Sequence, residues 1–322
     1  MADSKLKVAV LMGGIGEERD ISIQSGRSVA QALRQAGINV ITSDIGPNNL
    51  DILEDDTIDV FFIALHGKFG EDGQLQQILE DKSLCYTGSG AEASKSAFDK
   101  LASKECFVNA GITAPRAISF DGRPGPAELE KQLLQLSERF VIKPARQGST
   151  IGVTIADNPK SALEAAQQCL CKFGDCIIEE FIPGKEITVG ILTNMALPII
   201  EIRSKTGFYD YQAKYIDEQT EYLFDTIDPI VAAKIQADAI SCFNALGLRH
   251  FARVDFRLSD DRIGYALEAN TIPGLTTHSL LPKAAEKAGI PMSELCVRII
   301  KAALKNKNNK QHLFNQTVNS QT

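Results

Sequence analysis

The chain has 322 residues, 44% hydrophobic and 23% charged, and its 34 basic and 41 acidic side chains leave a net charge of −7. That length suggests two or three domains, and that composition excludes disorder, collagen or a coiled coil as a description of the whole. The negative balance argues against nucleic acid or an anionic membrane as the main partner, so any anionic ligand must be held by a local positive cluster. Apolar runs such as Val60 to Leu65 fall far short of the ~20 residues of a membrane helix. Met1 to Lys7 is polar and lacks the apolar core of an export signal, so the expected location is cytoplasmic. Seven cysteines in such a chain read as reduced thiols, and Cys169, Cys171 and Cys176 do not have a zinc spacing.

In chain order, Leu6 to Met12 reads as a buried strand ending at Gly13-Gly14, followed by a helix from Ser22 to Gln35 that stops at Gly37. Strands at Ile38 to Ile45 and Val60 to Leu65 complete a strand, helix, strand order, which implies a parallel sheet with right-handed crossovers. Residues 1–96 are expected to form this doubly wound α/β unit. A helical pattern from Ser94 to Asn109 opens an α+β unit over 97–186. Within it follow a helix opened by Pro126, a strand Phe140 to Lys143, a glycine-bearing loop, a helix after Asn158-Pro159 and a strand Cys176 to Phe181. Residues 187–306 carry the strand signals ITVGIL and LPIIEI, a long helix from Pro229 to Ala245, a hairpin and a final helix into Leu304. Residues 307–322 read as a polar tail.

Four stretches can carry chemistry. Gly13 to Arg19 follows the first strand, where a parallel sheet meets ligands. It lacks the dinucleotide fingerprint, which disfavours a nicotinamide enzyme; a tight turn is its plain alternative. His66 ends an apolar strand in a glycine-rich loop, placing it at the same sheet edge as Glu18, although a lone histidine is more often structural. Lys143 sits at a strand end before the small-residue loop Ala145 to Gly152, whose backbone N–H groups can cradle phosphate; a basic hairpin turn is the alternative. Arg253 to Leu258 and Tyr265 to Asn270 alternate polar and apolar about a turn at Ser259 to Gly264, as in an antiparallel hairpin with one buried face. Arg253 and Asp255 then share a face of one strand, and Glu268 and Asn270 a face of the next. Three oxygen donors without a nearby His or Cys suit Mg²⁺, where the alternative is a solvated charged face.

Together the segments MGGIGEERDIS, ALHGKFGEDG, YTGSG, DK, IKPARQGSTIGV, IIEEFIPGKEITV, FYDYQAKY, RVDF and LEANTIPGLTTHSLLP, in that order, resemble D-alanine:D-alanine ligases of the ATP-grasp superfamily. The likeness runs from Leu6 to about Lys301. It implies an ATP-grasp fold, with the parallel-sheet domain followed by two α+β domains that clasp ATP. Lys100 and Lys143 would contact phosphates, and Glu179, Phe181, Ile182 and Glu186 would line the adenine and ribose pocket. Asp255, Glu268 and Asn270 would hold two Mg²⁺ ions, with Mn²⁺ as a substitute. Glu18, favoured over Glu17 by the following Arg19-Asp20-Ile21-Ser22, would hold the first D-alanine's ammonium and form a network with Ser149 and Tyr215. That network would position a lid, Tyr209 to Tyr215.

By the same resemblance, His66 would sit near the first substrate, and Ser279 and the backbone of Leu280 would bind the second substrate's carboxylate. Arg253 and the N–H of Gly274 would stabilise the oxyanion, and Lys214 the transferring phosphoryl group. D-alanine and ATP are the expected partners, and a homodimer the expected assembly. Glu180 departs from the family, whose members often carry lysine there. The rival readings are a ligase making D-alanyl-D-lactate or another D-amino-acid pair, and a nucleotide-binding regulatory protein without turnover.

Overall fold

The computed structural model describes residues 6–204 and 220–319. Strands β1 (Lys7–Gly13), β2 (Asn39–Ile45) and β3 (Val60–Ile63) are parallel in the order β2-β1-β3. Because β1 is central, both its faces are covered. Val8 and Val10 pack with Val29 and Leu33 of α1 (Arg19–Gln35), while Ala9 and Leu11 pack with Leu75 and Leu79 of α2 (Gln74–Asp81). Burial on both sides is why this strand reads as one continuous apolar run.

The helical pattern from Ser94 to Asn109 is two helices, α3 (Ala91–Phe98) and α4 (Lys100–Asn109). Asp99 leaves helical geometry at φ −86°, ψ 108°, and its carboxylate accepts the N–H groups of Leu101 and Ala102 as an N-cap. The break sets Lys100 at the first position of α4. Ala97, Phe107 and Ile112 join the core of the C-terminal unit, whereas the central unit's own core begins at Phe120. That central unit is an antiparallel sheet of β4 (Ala117–Phe120), β5 (Phe140–Pro144), β6 (Thr154–Ala156) and β7 (Cys176–Glu180), in the order β4-β7-β5-β6. Helices α5 (Pro126–Leu136) and α6 (Pro159–Phe173) cover one face through Leu129, Leu133, Ala162 and Ala166.

The second antiparallel sheet joins β8 (Lys185–Leu192), β9 (Met195–Ala196), β10 (Ile200–Arg203), β11 (Glu221–Leu223), β12 (Phe251–Leu258) and β13 (Gly264–Asn270). On one face Ile187, Val189, Val254 and Phe256 meet Ile235, Ala239 and Phe243 of α7 (Pro229–Ala245). The alternation of β12 puts Arg253, Asp255 and Arg257 on the other face. The hairpin register pairs Arg253 with Asn270 and Asp255 with Glu268, then slips, so that Phe256 pairs with Ala266 and Leu267 is the extra residue of a β-bulge.

Two helices differ from the expectation. A short α8 (Leu280–Lys287) follows the hairpin, and α9 (Met292–Asn319) runs through the stretch read as a polar tail from residue 307. No glycine or proline interrupts α9, and its lysines and glutamines are good helix formers, so polarity alone does not end it. Among the described residues no helix is long and apolar enough to cross a membrane.

Candidate active site

Two adjoining cavities lie between the units. The larger, of about 590 Å³, opens where all three meet; a cleft of about 130 Å³ runs between the central sheet and the β12–β13 hairpin. Lys100 and Glu268 line both and pair at 3.3 Å, so they form the seam.

In the larger cavity, Ser22 fixes the start of α1 to the sheet edge. Its Oγ accepts the Gly13 N–H at 2.9 Å and donates to Ala64 O at 2.8 Å. This holds Glu18 over the cavity, where the Ser149 hydroxyl donates to its carboxylate; Glu17 is exposed. A Cβ on Gly67, at φ +67°, would stand 2.5 Å from Glu18 Oε2, so only glycine lets this loop approach the carboxylate so closely. His66 is buried beside Glu71, Nδ1 to Oε1 3.5 Å, and its Nε2 lies 3.2 Å from Ser25 Oγ. Burial opposes charge on His66, but Glu71 and then Glu18 outweigh it and raise its pKa; burial likewise raises that of Glu71. Ser25 Oγ also accepts the Leu275 N–H at 3.2 Å, tying α1 to the loop that carries Gly274. Ser279, at the start of α8, accepts the Thr276 N–H at 3.1 Å and shares a 2.8 Å hydroxyl contact with Thr276. Arg253, Asn270, Gly274, Ser279 and Leu280 all line this cavity.

The cleft is walled by Val141, Ile151, Phe181, Ile182 and Leu267. At its base Glu179 lies between two ammonium groups, Lys143 Nζ 2.9 Å from Oε2 and Lys104 Nζ 2.9 Å from Oε1. Burial alone would push Glu179 up; Lys143 and Lys104 outweigh it and hold the carboxyl below its ordinary range. Arg257 donates to the carbonyls of Ile182 at 3.2 Å and Gly184 at 2.6 Å, fixing the segment after β7, and lies 3.7 Å from Glu186. Glu180 turns its carboxylate to Arg116, accepting from the backbone N–H and Nε at 2.8 Å each. The charge of Glu180 is therefore balanced by Arg116, beside the edge strand β4.

The oxygen donors expected to bind metal share the site face of the hairpin. Asp255 accepts from Arg253 Nε and Nη2 at 2.8 Å each and from the Thr188 hydroxyl at 2.5 Å, while Asn270 Oδ1 accepts the Ile272 N–H at 3.0 Å. Among the described residues no group of three or more His, Cys, Asp or Glu side chains is placed to hold a metal. Two carboxylates and one amide, all hard oxygens beside a cleft fit for phosphate, suit a cation that completes its shell with phosphate oxygens and water.

Every expected site residue in the described part of the chain reaches one cavity or the other. Lys214, Tyr215 and the lid Tyr209 to Tyr215 lie outside the described residues. Four participants escaped the sequence reading although signals existed. Glu71 shares the glycine loop of His66. Arg257 continues the period-two face of Arg253 and Asp255, Thr188 occupies the same face of the neighbouring strand, and Lys104 stands one helical turn after Lys100.

Residues 125–301 match the family model described as the D-ala D-ala ligase C-terminus, and residues 48–89 the one described as the D-ala D-ala ligase N-terminus. A D-alanine–D-alanine ligase of Syntrophotalea carbinolica is 42% identical over 299 residues, covering 92% of this chain and 96% of the relative. The crystal structure of D-alanine–D-alanine ligase from Bacillus anthracis complexed with ATP superposes with a TM-score of 0.83 at 30% identity, covering 95% of this chain and 99% of that one. A D-Ala:D-Ser ligase from Enterococcus faecalis superposes at 0.81 with 26% identity, over 93% of this chain and all of the other. Since the likeness spans nearly the whole of each chain, the two antiparallel sheets around the cleft are those of the ATP-grasp fold, and the chain belongs to the D-alanine–D-alanine ligase family.

Proposed function

We propose that this chain joins two D-alanine molecules into D-alanyl-D-alanine while splitting ATP to ADP and phosphate, as a step of peptidoglycan synthesis. The observation that carries the reading is that Glu18, Arg253, Gly274 and Ser279, which come from two different units, line one cavity, and that the lysine-lined cleft adjoins it through Lys100 and Glu268. A carboxylate oxygen of the first D-alanine attacks the γ-phosphorus of ATP and ADP leaves. The amine of the second D-alanine, having lost a proton, then attacks the acyl carbon and phosphate departs. Phosphorylation is needed because it turns a poor leaving oxygen into a good one.

In this scheme Glu18 holds the first ammonium, His66 packs near that substrate, and Glu18, Ser149 and Tyr215 together place the lid. Ser279 and the N–H of Leu280 receive the second carboxylate. Arg253 and the Gly274 N–H face the oxyanion that develops on the acyl carbon, where donors fixed in advance act most strongly. Lys100 and Lys143 hold ATP phosphates and Lys214 the group in transfer, while Glu179, Phe181, Ile182 and Glu186 surround the base and ribose. Asp255, Glu268 and Asn270 are the residues that would hold two Mg²⁺ ions, or Mn²⁺, whose charge would offset that of the phosphates. From the same family likeness we propose a cytoplasmic homodimer.

The test is phosphate release from ATP with and without D-alanine, with the dipeptide measured alongside. Release that ignores D-alanine would overturn the reading. A regulatory nucleotide binder has no use for Arg253, Ser149 and Ser279 around a second cavity. Offering D-serine or D-lactate in competition with D-alanine separates the remaining ligase readings by product.

A further inference from the structure

Glu179 is 2% exposed, and its two cations differ in what else they can reach. Lys143 lines the nucleotide cleft, whereas Lys104, 8% exposed, lines neither cavity and donates its remaining contact to Pro115 O at 3.0 Å. A polyphosphate in the cleft needs the Lys143 ammonium, which in this structure is committed to Glu179 at 2.9 Å. A buried carboxylate left without a cation is strongly unfavourable. Lys143 can therefore turn to a phosphate only if another positive charge stays with Glu179.

We propose that Lys104 is a positioning residue that keeps Glu179 paired while Lys143 transfers from it to the nucleotide's phosphates. Three observations support this role. Lys104 meets Glu179 Oε1 whereas Lys143 meets Oε2, so the two lysines do not compete for one oxygen; Lys104 is anchored independently at Pro115; and Lys100, which with Lys143 lines the cleft among the described residues, is engaged with Glu268 and Gln147 O. The inference rests on the nucleotide reading of the cleft, and it distinguishes phosphate binding from base binding.

The experiment measures adenosine and ADP affinity by calorimetry in the full chain, for the wild type, Lys104→Met, Lys104→Arg, Glu179→Gln and Lys104→Met/Glu179→Gln. Lys104→Met should weaken ADP about 10-fold or more, because Glu179 then retains Lys143, and leave adenosine within about 2-fold. Lys104→Arg should restore ADP binding. On the Glu179→Gln background, which has no buried carboxylate to neutralise and so folds without Lys104, Lys104→Met should no longer change ADP affinity. Equal weakening of adenosine and ADP, or a full Lys104→Met effect on that background, would show a merely structural lysine and overturn the proposal. Wild-type protein that binds neither ligand would overturn the nucleotide reading itself, and this inference with it.

Discussion

The substrate cavity and the nucleotide cleft share Lys100 and Glu268, but their charges are organised differently. In the cavity the linking contacts run between units: Ser149 to Glu18, and Leu275 to Ser25, the serine that also meets His66 within the N-terminal unit. In the cleft, Glu179 and its two lysines are paired before any ligand arrives. The cavity therefore depends on how the units dock, while the cleft depends on a charge balance fixed in and beside one sheet.

The seam gives the most severe test. Glu268→Gln should lower turnover by about 10²–10³-fold, the size of losing one electrostatic stabiliser at a reacting centre, with little change in melting temperature. Steady-state rates and a thermal melt check this; near-wild-type turnover would remove Glu268 from the metal set. Separation of the two regions is probed by Gly67→Ala, which forces a Cβ against Glu18 at a left-handed φ. It should reduce kcat/KM for D-alanine by roughly 10–100-fold, a strain of about 1–3 kcal/mol, and leave ADP affinity unchanged. A matching loss of ADP affinity would mean that the two sites are not separable.

The docking of the units can be weakened by acid. His250 Nδ1 accepts the Gly88 N–H at 3.1 Å and Nε2 lies 3.0 Å from the Asn306 amide, so this ring links the N-terminal unit, β12 and α9. Burial and then Arg249 push its pKa down from 6.5 to about 3. The unfolded chain binds this proton first, so the stability it contributes is intact above about pH 6.5 and is lost as pH falls toward 3. By pH 5 the loss is about 2 kcal/mol. Denaturant melts of wild type and His250→Asn between pH 7 and 4 should converge as pH falls, asparagine being tolerant of the φ of +67° at this position. The smallest effect belongs to Glu180→Gln, whose carboxylate meets a largely exposed Arg116: ADP affinity within about 2-fold and a stability loss under ~1 kcal/mol.

The legible parts of the fold were those where one rule acts alone. The alternation of β12 and β13 placed Arg253, Asp255, Glu268 and Asn270 on one face of the hairpin, because a half-buried strand must alternate. The continuous apolar β1 announced a sheet covered on both sides. The division of Ser94 to Asn109 was not legible, because the capping by Asp99 is a matter of local geometry within an otherwise helical composition. The bulge at Leu267 was hidden as well, since regular pairing and a one-residue slip place Glu268 and Asn270 on the same face. Individual roles within the site came through resemblance, while the pairing of Glu179 with Lys104 and of Glu180 with Arg116 needed coordinates, since partners 75 and 64 positions apart leave no periodic trace.

The path of α9 has a consequence for synthesis of the chain. Leu295, Ile299, Ile300 and Ala303 share one core with Val8, Val10, Val29 and Leu33. On a ribosome the face formed by the early residues must wait for the late ones, roughly 10–50 s at ordinary elongation rates of about 5–20 residues per second. During that interval a nascent chain shows an uncovered apolar surface, an opportunity for chaperones and a hazard for aggregation. Ribosome stalling after α7 would arrest the molecule with its first domain half wrapped.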